Sequence, residues 1–297
     1  MDRFHAMEVA VIVLSYSSGH DCEGALTWAA RAAIARDVPL AVVSVAGLPS
    51  MLGDANYAAP LPAEMFTESA QAIAEEGAAK ARELGVKDVT AHGTTGDTAR
   101  AVVEFSKDAE LVVVGSRGRG QLLSALLGSV SYEITAHAHC PVVVIRRGAD
   151  IGARNGQAVV VGLDGSEGSQ DAVDFAAGVA VRSKGKLTLV TVWRDPIADG
   201  LMPVDYSHGD TLLQDIKKQA AETLQRAAAT LRETYPDLSV DTVLVEGLPA
   251  DALLKAADGA DLIVTGSRGR GGFGGLLLGS VSHGVLHHAK SAVAIVR

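Results

Sequence analysis

The stretches LVVVGSRGRG, Leu111–Gly120, and LIVTGSRGRG, Leu262–Gly271, end in the same six residues, 151 positions apart (266 minus 115). Each is an apolar run of strand type that breaks into a glycine and arginine turn. The separation is about half of the 297-residue chain, so the shared word marks a duplicated unit. From Gly96 and Gly247 onward the two halves align at that offset without a gap.

Working outward, the first half reads as strands at 9–14, 40–45, 89–93, 111–115 and 141–146. Helical stretches lie between them, at 23–36, 64–84, 98–108 and after Ser129. The second half repeats the order, with strands at 158–163, 187–193, 240–247 and 261–266 and a last one, AVAIVR, at the end. Apolar strands that alternate with helices predict parallel sheets covered on both faces. The expected fold class is α/β, with two tandem doubly wound parallel-sheet domains at 1–147 and 158–297. RGADIGARNGQ, Arg147–Gln157, lacks apolar periodicity, and 148–157 reads as a linker.

Composition agrees with this architecture. Hydrophobic residues make up 48% of the chain and aromatics only 4%, which fits aliphatic strands packed under alanine-rich helices. The formal charge of −9 argues against a nucleic-acid partner, which requires a basic surface. Two cysteines, Cys22 and Cys140, are too few for a disulfide framework and fit a reducing compartment. The run from Glu8 to Leu14 is short and charged, so it reads as the first strand rather than a signal segment. No apolar run approaches the ~20 residues of a spanning helix, and a cytoplasmic location is expected.

The glycines continue beyond the shared word. Gly115, Gly118 and Gly128-Ser129 form a G-x2-G-x9-G-S pattern that Gly266, Gly269 and Gly279-Ser280 repeat. It is neither a G-x4-G-K-[ST] phosphate loop nor the G-x-G-x-x-G dinucleotide fingerprint. In an open α/β sheet, ligands bind beyond the carboxyl ends of the strands, where glycine lets backbone N–H groups approach a phosphate. Ser129 and Ser280 then read either as N-caps or as donors to phosphate oxygens.

This duplicated pattern, VVVGLDGS (Val159–Ser166) and HAHCPVVVIR (His137–Arg146) resemble the universal stress protein family, in its tandem actinobacterial form. The resemblance implies a Rossmann-like fold of the adenine nucleotide α-hydrolase type that binds ATP, with or without Mg2+, and regulates stress response or growth. It places Asp164 and Val192 beside adenine. Gly266, Gly269, Gly279, Ser280, Val281 and Ser282 would hold ribose and phosphates. In the first half Gly115, Gly118, Gly128, Ser129, Val130 and Ser131 match, but Ser17 stands where Asp164 does, so weaker binding is expected there. Losing that carboxylate removes a charge-assisted hydrogen bond, a difference of order 1 kcal/mol.

Other chemistry is less well supported. Arg117, Arg119, Arg268 and Arg270 fit phosphate contacts and exposed loop tips equally well. HAHC and His287-His288 lack the partners of a closed zinc site, so no metal is expected. No nucleophile elbow, H-E-x-x-H or repeated carboxylate pair is present, and no catalytic residue is assigned. Slow ATP hydrolysis and a protein-interaction module without nucleotide stay open as alternatives, as do AMP and cyclic nucleotides as ligands. The short apolar final strands PVVVIR and AVAIVR offer edges for pairing, so a homodimer and a protein partner of unknown identity are expected.

Overall fold

The computed structural model describes residues 10–19, 22–47, 63–116, 127–146, 156–195, 209–271 and 277–297. The chain divides after Arg147 into two compact units. In the first, β1 (Val11–Ser15), α1 (Glu23–Arg36), β2 (Leu40–Ala46), α2 (Ala63–Glu83) and β3 (Val89–Thr95) are followed by α3 (Thr98–Phe105), β4 (Ala109–Gly115), α4 (Ser129–His137) and β5 (Val142–Ile145). Its parallel strands lie in the order β3-β2-β1-β4-β5.

The second unit repeats the plan with β6 (Ala158–Gly162), α5 (Glu167–Arg182), β7 (Lys186–Trp193), α6 (Gly209–Thr234) and β8 (Ser239–Glu246). It continues through α7 (Pro249–Ala256), β9 (Leu262–Gly266), α8 (Ser280–His288) and β10 (Ala292–Val296). Its parallel order is β8-β7-β6-β9-β10, the same topology. In the first unit α1 packs on α2 and α3 on α4; in the second α5 lies against β6, β9 and β7, α6 against β7 and β8, and α7 packs on α8. These are doubly wound α/β units, as the alternation of strands and helices predicts.

The central strands are apolar because both faces are covered. Ile12, Val13, Leu14, Val112, Val113, Val143 and their second-unit counterparts Val159, Val161, Ile263 and Val264 are buried. Small side chains bring the helices close. Ala70, Ala74, Ala78 and Ala81 recur every three or four residues on the buried stripe of α2. The stretch read as helical to Asp108 stops at Phe105, where the Ser106 hydroxyl donates back to the Val103 carbonyl at 2.6 Å. Val9, assigned to the first strand from sequence, lies outside the described residues.

The edge strand β3 is closed by one side chain. Gln71 of α2 accepts from the Gly93 N–H at 2.7 Å and donates to the Ala91 carbonyl at 3.3 Å. Its amide thus occupies two backbone groups that an open edge would present to another chain. Gly93 permits this, since a Cβ there would collide with the Gln71 backbone. We expect Gly93→Ala to destabilise the first unit by about 1–3 kcal/mol and Gln71→Ala by about 1 kcal/mol, both read from denaturant unfolding.

Candidate functional site

The site of the second unit is built at the carboxyl ends of β6, β7 and β9. Leu163 continues β6 by donating its N–H to the Val190 carbonyl at 2.8 Å, and the chain then turns at Asp164, Gly165 and Ser166. Gly165 takes a φ of +80°, which an L-residue rarely adopts. Asp164 Oδ1 accepts from the Ser166 N–H at 2.9 Å and from its hydroxyl at 2.6 Å. Ser166 in turn caps α5, accepting from the Ser169 N–H at 3.3 Å.

The other oxygen of Asp164 reaches across to the glycine word. Oδ2 accepts from the Arg270 N–H at 3.0 Å, joining residues 106 positions apart. A Cβ at Gly269 would strike that same Oδ2, so a side chain there would push the carboxylate out of this position. Gly266 serves a different contact: its missing side chain lets the strand end pass the first turn of α5, where a Cβ would lie 2.6 Å from the Gly168 carbonyl. Burial pushes the Asp164 pKa up. The Ser166 hydroxyl, the backbone N–H groups of Ser166 and Arg270 and the Ser169 hydroxyl outweigh it, leaving the carboxyl below its ordinary value.

Beyond the word, the Gly279 N–H donates to the Ser267 carbonyl at 2.7 Å, and the buried Ser282 hydroxyl donates to the same carbonyl at 2.9 Å. This pins the start of α8 beside β9. The N-cap of α8 is Gly279, with no side-chain cap, so Ser280 is the first helical residue rather than a cap as the sequence reading allowed. The N–H groups of Ser280, Val281 and Ser282 have no acceptor within the helix and give its start a partial positive charge.

Asp164, Val192, Gly266, Gly269, Gly279, Ser280, Val281 and Ser282 all line one cavity of about 770 Å³. That volume lies within the range of small-molecule sites. Sequence reasoning missed several of its walls. Trp193, at the end of β7, lines it and carries the Lys217 ammonium 5.6 Å from its ring centre. Ile216, Gln219, Ala220 and Thr223 form a stripe on α6, whose 3.6-residue period was legible but whose partner was not. Arg194, Arg268 and Arg270 also line the cavity. Among the described residues, the Asp164 carboxylate, the Arg194, Arg268 and Arg270 guanidinium groups and an uncapped helix start can receive an anionic ligand that also carries hydrogen-bond donors.

The first unit keeps part of this frame. Tyr16 donates its N–H to Val43 at 2.8 Å, the same rung as Leu163, which places Ser17 at the position of Asp164. Ser17 Oγ lies 3.0 Å from Cys22 Sγ, the residue that replaces Ser169. The Gly128 N–H donates to the Ser116 carbonyl at 2.9 Å and caps α4 without a side chain, so Ser129 is a first helical residue too. Ser131 is buried and donates to the Gly115 carbonyl at 2.7 Å, while Ser129 and Val130 are exposed. Gly118 lies outside the described residues, as do Arg117 and Arg119. Among the described residues no group of three or more His, Cys, Asp and Glu side chains is placed to hold a metal.

The model of the universal stress protein family matches residues 11–146 and again 156–297. The chain is 34% identical over 299 aligned positions to the universal stress protein Rv2005c of Mycobacterium tuberculosis, covering 96% of each. It is 31% identical to Rv2623 of the same organism, again over 96% of each. Among solved structures, a universal stress protein from Archaeoglobus fulgidus aligns over 98% of this chain and 99% of its own, at a TM-score of 0.67 and 20% identity. The chain belongs to the universal stress protein family, as a member with two tandem family domains.

The bond between Asp164 and Arg270 makes a testable statement about pH. With its folded pKa depressed, the carboxylate contributes stability that is fully present above the ordinary value of about 3.9 and is lost as pH falls through the depressed one. The stability difference between wild type and Asp164→Asn is therefore expected to stay constant from neutral pH down to about 5 and to shrink below about 4. Amide exchange at Arg270 should quicken in the variant at neutral pH; unchanged exchange there would contradict the assignment.

Proposed function

We propose that the second unit binds ATP and that the protein acts as a nucleotide-dependent regulator of stress response or growth. The observation that carries this reading is the convergence of Asp164, Val192, the glycine word and the start of α8 on one cavity. Asp164 is an ionised acceptor suited to the exocyclic amine of adenine, and Val192 supplies an apolar surface for the ring. The backbone N–H groups of Ser280, Val281 and Ser282 and the guanidinium groups of Arg268 and Arg270 suit the phosphates. An Mg2+ ion would be held through the phosphate oxygens, since Asp164 is the only carboxylate among the described residues that line the cavity.

ATP changes the protein's behaviour only by binding one conformational state better than another. The bond from Asp164 to Arg270 is a contact that a bound adenine would share or replace, which couples the base to the glycine word. Among the described residues that line the cavity none is a histidine or a carboxylate other than Asp164, which favours regulation over turnover as the reading. The first unit, with Ser17 for Asp164, binds the nucleotide more weakly. A homodimer in the cytoplasm with a protein partner completes the proposal.

Trp193 makes binding measurable. The second tryptophan, Trp28, is buried in α1 of the first unit, so a Trp28→Phe background leaves the pocket residue as the reporter. ATP is expected to change its emission saturably, and Asp164→Ala or Gly269→Ala to weaken binding about tenfold or more, or about 1.4 kcal/mol. If ATP, AMP and cyclic AMP all leave the emission and a parallel calorimetric titration unchanged, the interaction-module alternative replaces this reading.

A further inference from the structure

The last helix of the second unit carries a side-chain pair that the nucleotide site does not use. His283 and His287 stand four residues apart on α8 with ring centres 4.4 Å apart and planes tilted by 34°. Ser282, Val285 and Leu286 fill the inner side of the helix, and Gly284 packs toward α7, where a Cβ would lie 2.8 Å from Ala250 Cβ. The two histidines therefore share the outer stripe, His283 exposed and His287 half-buried. At the offset of 151 the first unit has Tyr132 and Ala136 in their places, so the pair belongs to the second unit alone.

The geometry points to a two-histidine site for a divalent transition-metal ion on α8. Imidazoles four apart on one helix face supply two nitrogen ligands to a common ion. With metal–nitrogen bonds of about 2.1 Å, ligands at a right angle put ring centres about 4.5 Å apart and ligands at a tetrahedral angle about 5.2 Å. The observed 4.4 Å is close to the separation that ligands at a right angle require. Right-angled nitrogen ligands suit Cu2+ and Ni2+, with water in the remaining positions. His287 also lies in the last turn of α8, where the helix dipole favours positive charge. His288, one position further along α8, lies off this stripe by the helical period.

The test is a calorimetric titration of the untagged full chain with Cu2+, Ni2+, Co2+ and Mg2+, without nucleotide. One ion per chain is expected at the strongest site, with affinity falling from Cu2+ through Ni2+ to Co2+ and no Mg2+ binding. His283→Gln and His287→Gln should each weaken Ni2+ binding at least about tenfold, because either removes the chelate, while His288→Gln changes it less than about twofold. His283 is exposed, so its variant keeps the fold; circular dichroism checks this for His287→Gln. Ni2+ binding that survives both substitutions, or no binding stronger than that of the doubly substituted chain, overturns the assignment. Neither result bears on ATP, since the nucleotide titration is made without these ions.

Discussion

The second unit depends on the close passage of backbone over backbone at the ends of its central strands. β6 and β9 lie side by side and both terminate at glycine, Gly162 and Gly266. A side chain at Gly266 would meet the Gly168 carbonyl, and one at Gly162 would lie 2.9 Å from Leu253. Because neither position carries a side chain, the first turn of α5 and helix α7 can settle against the strand ends, and the cavity forms in the space they frame. The Asp164 carboxylate then ties the glycine word across the end of β6. A side chain at Gly266 would conflict with backbone, whereas one at Gly162 would require the Leu253 side chain to move.

The same constraint explains how the two units can share a fold and differ in their sites. Strand order, helix placement and the hydrogen bond from the helix-start glycine to the strand-end serine are repeated. What changes is the polar chemistry at the end of the first strand. Asp164 and Ser169 become Ser17 and Cys22, and the carboxylate with its tie to the glycine word gives way to a hydroxyl beside a thiol. The scaffold is set by aliphatic packing, which tolerates such a change, while the ligand chemistry rests on single polar atoms, which do not.

Much of this was legible in the sequence. Strands such as VVVI at Val142–Ile145 and helices such as Ala63–Glu83 follow from apolar runs and periodicity, and the duplicated glycine word located the strand ends where a site forms. Tertiary contacts were not legible. The bond between Asp164 and Arg270 joins residues 106 apart, so no local pattern announces it. Trp193 reads as one more apolar strand residue until α6 is seen opposite it. Of the two readings open for Ser129 and Ser280, the cap falls instead to Gly128 and Gly279, since glycine in extended conformation can begin a helix without a side-chain cap. The hydroxyls of Ser131 and Ser282 donate to strand-end carbonyls and fix the helix start, contacts that no local pattern announces.

The central claim is that the cavity of the second unit holds an adenine nucleotide. Its most direct test is to purify the protein, denature it and identify any released small molecule by chromatography and mass spectrometry. The account predicts ATP near one equivalent per chain, reduced when Asp164 or Gly269 is replaced by alanine. A protein that releases no nucleotide and takes up none when ATP is added would contradict it, and would leave the glycines with the packing role alone.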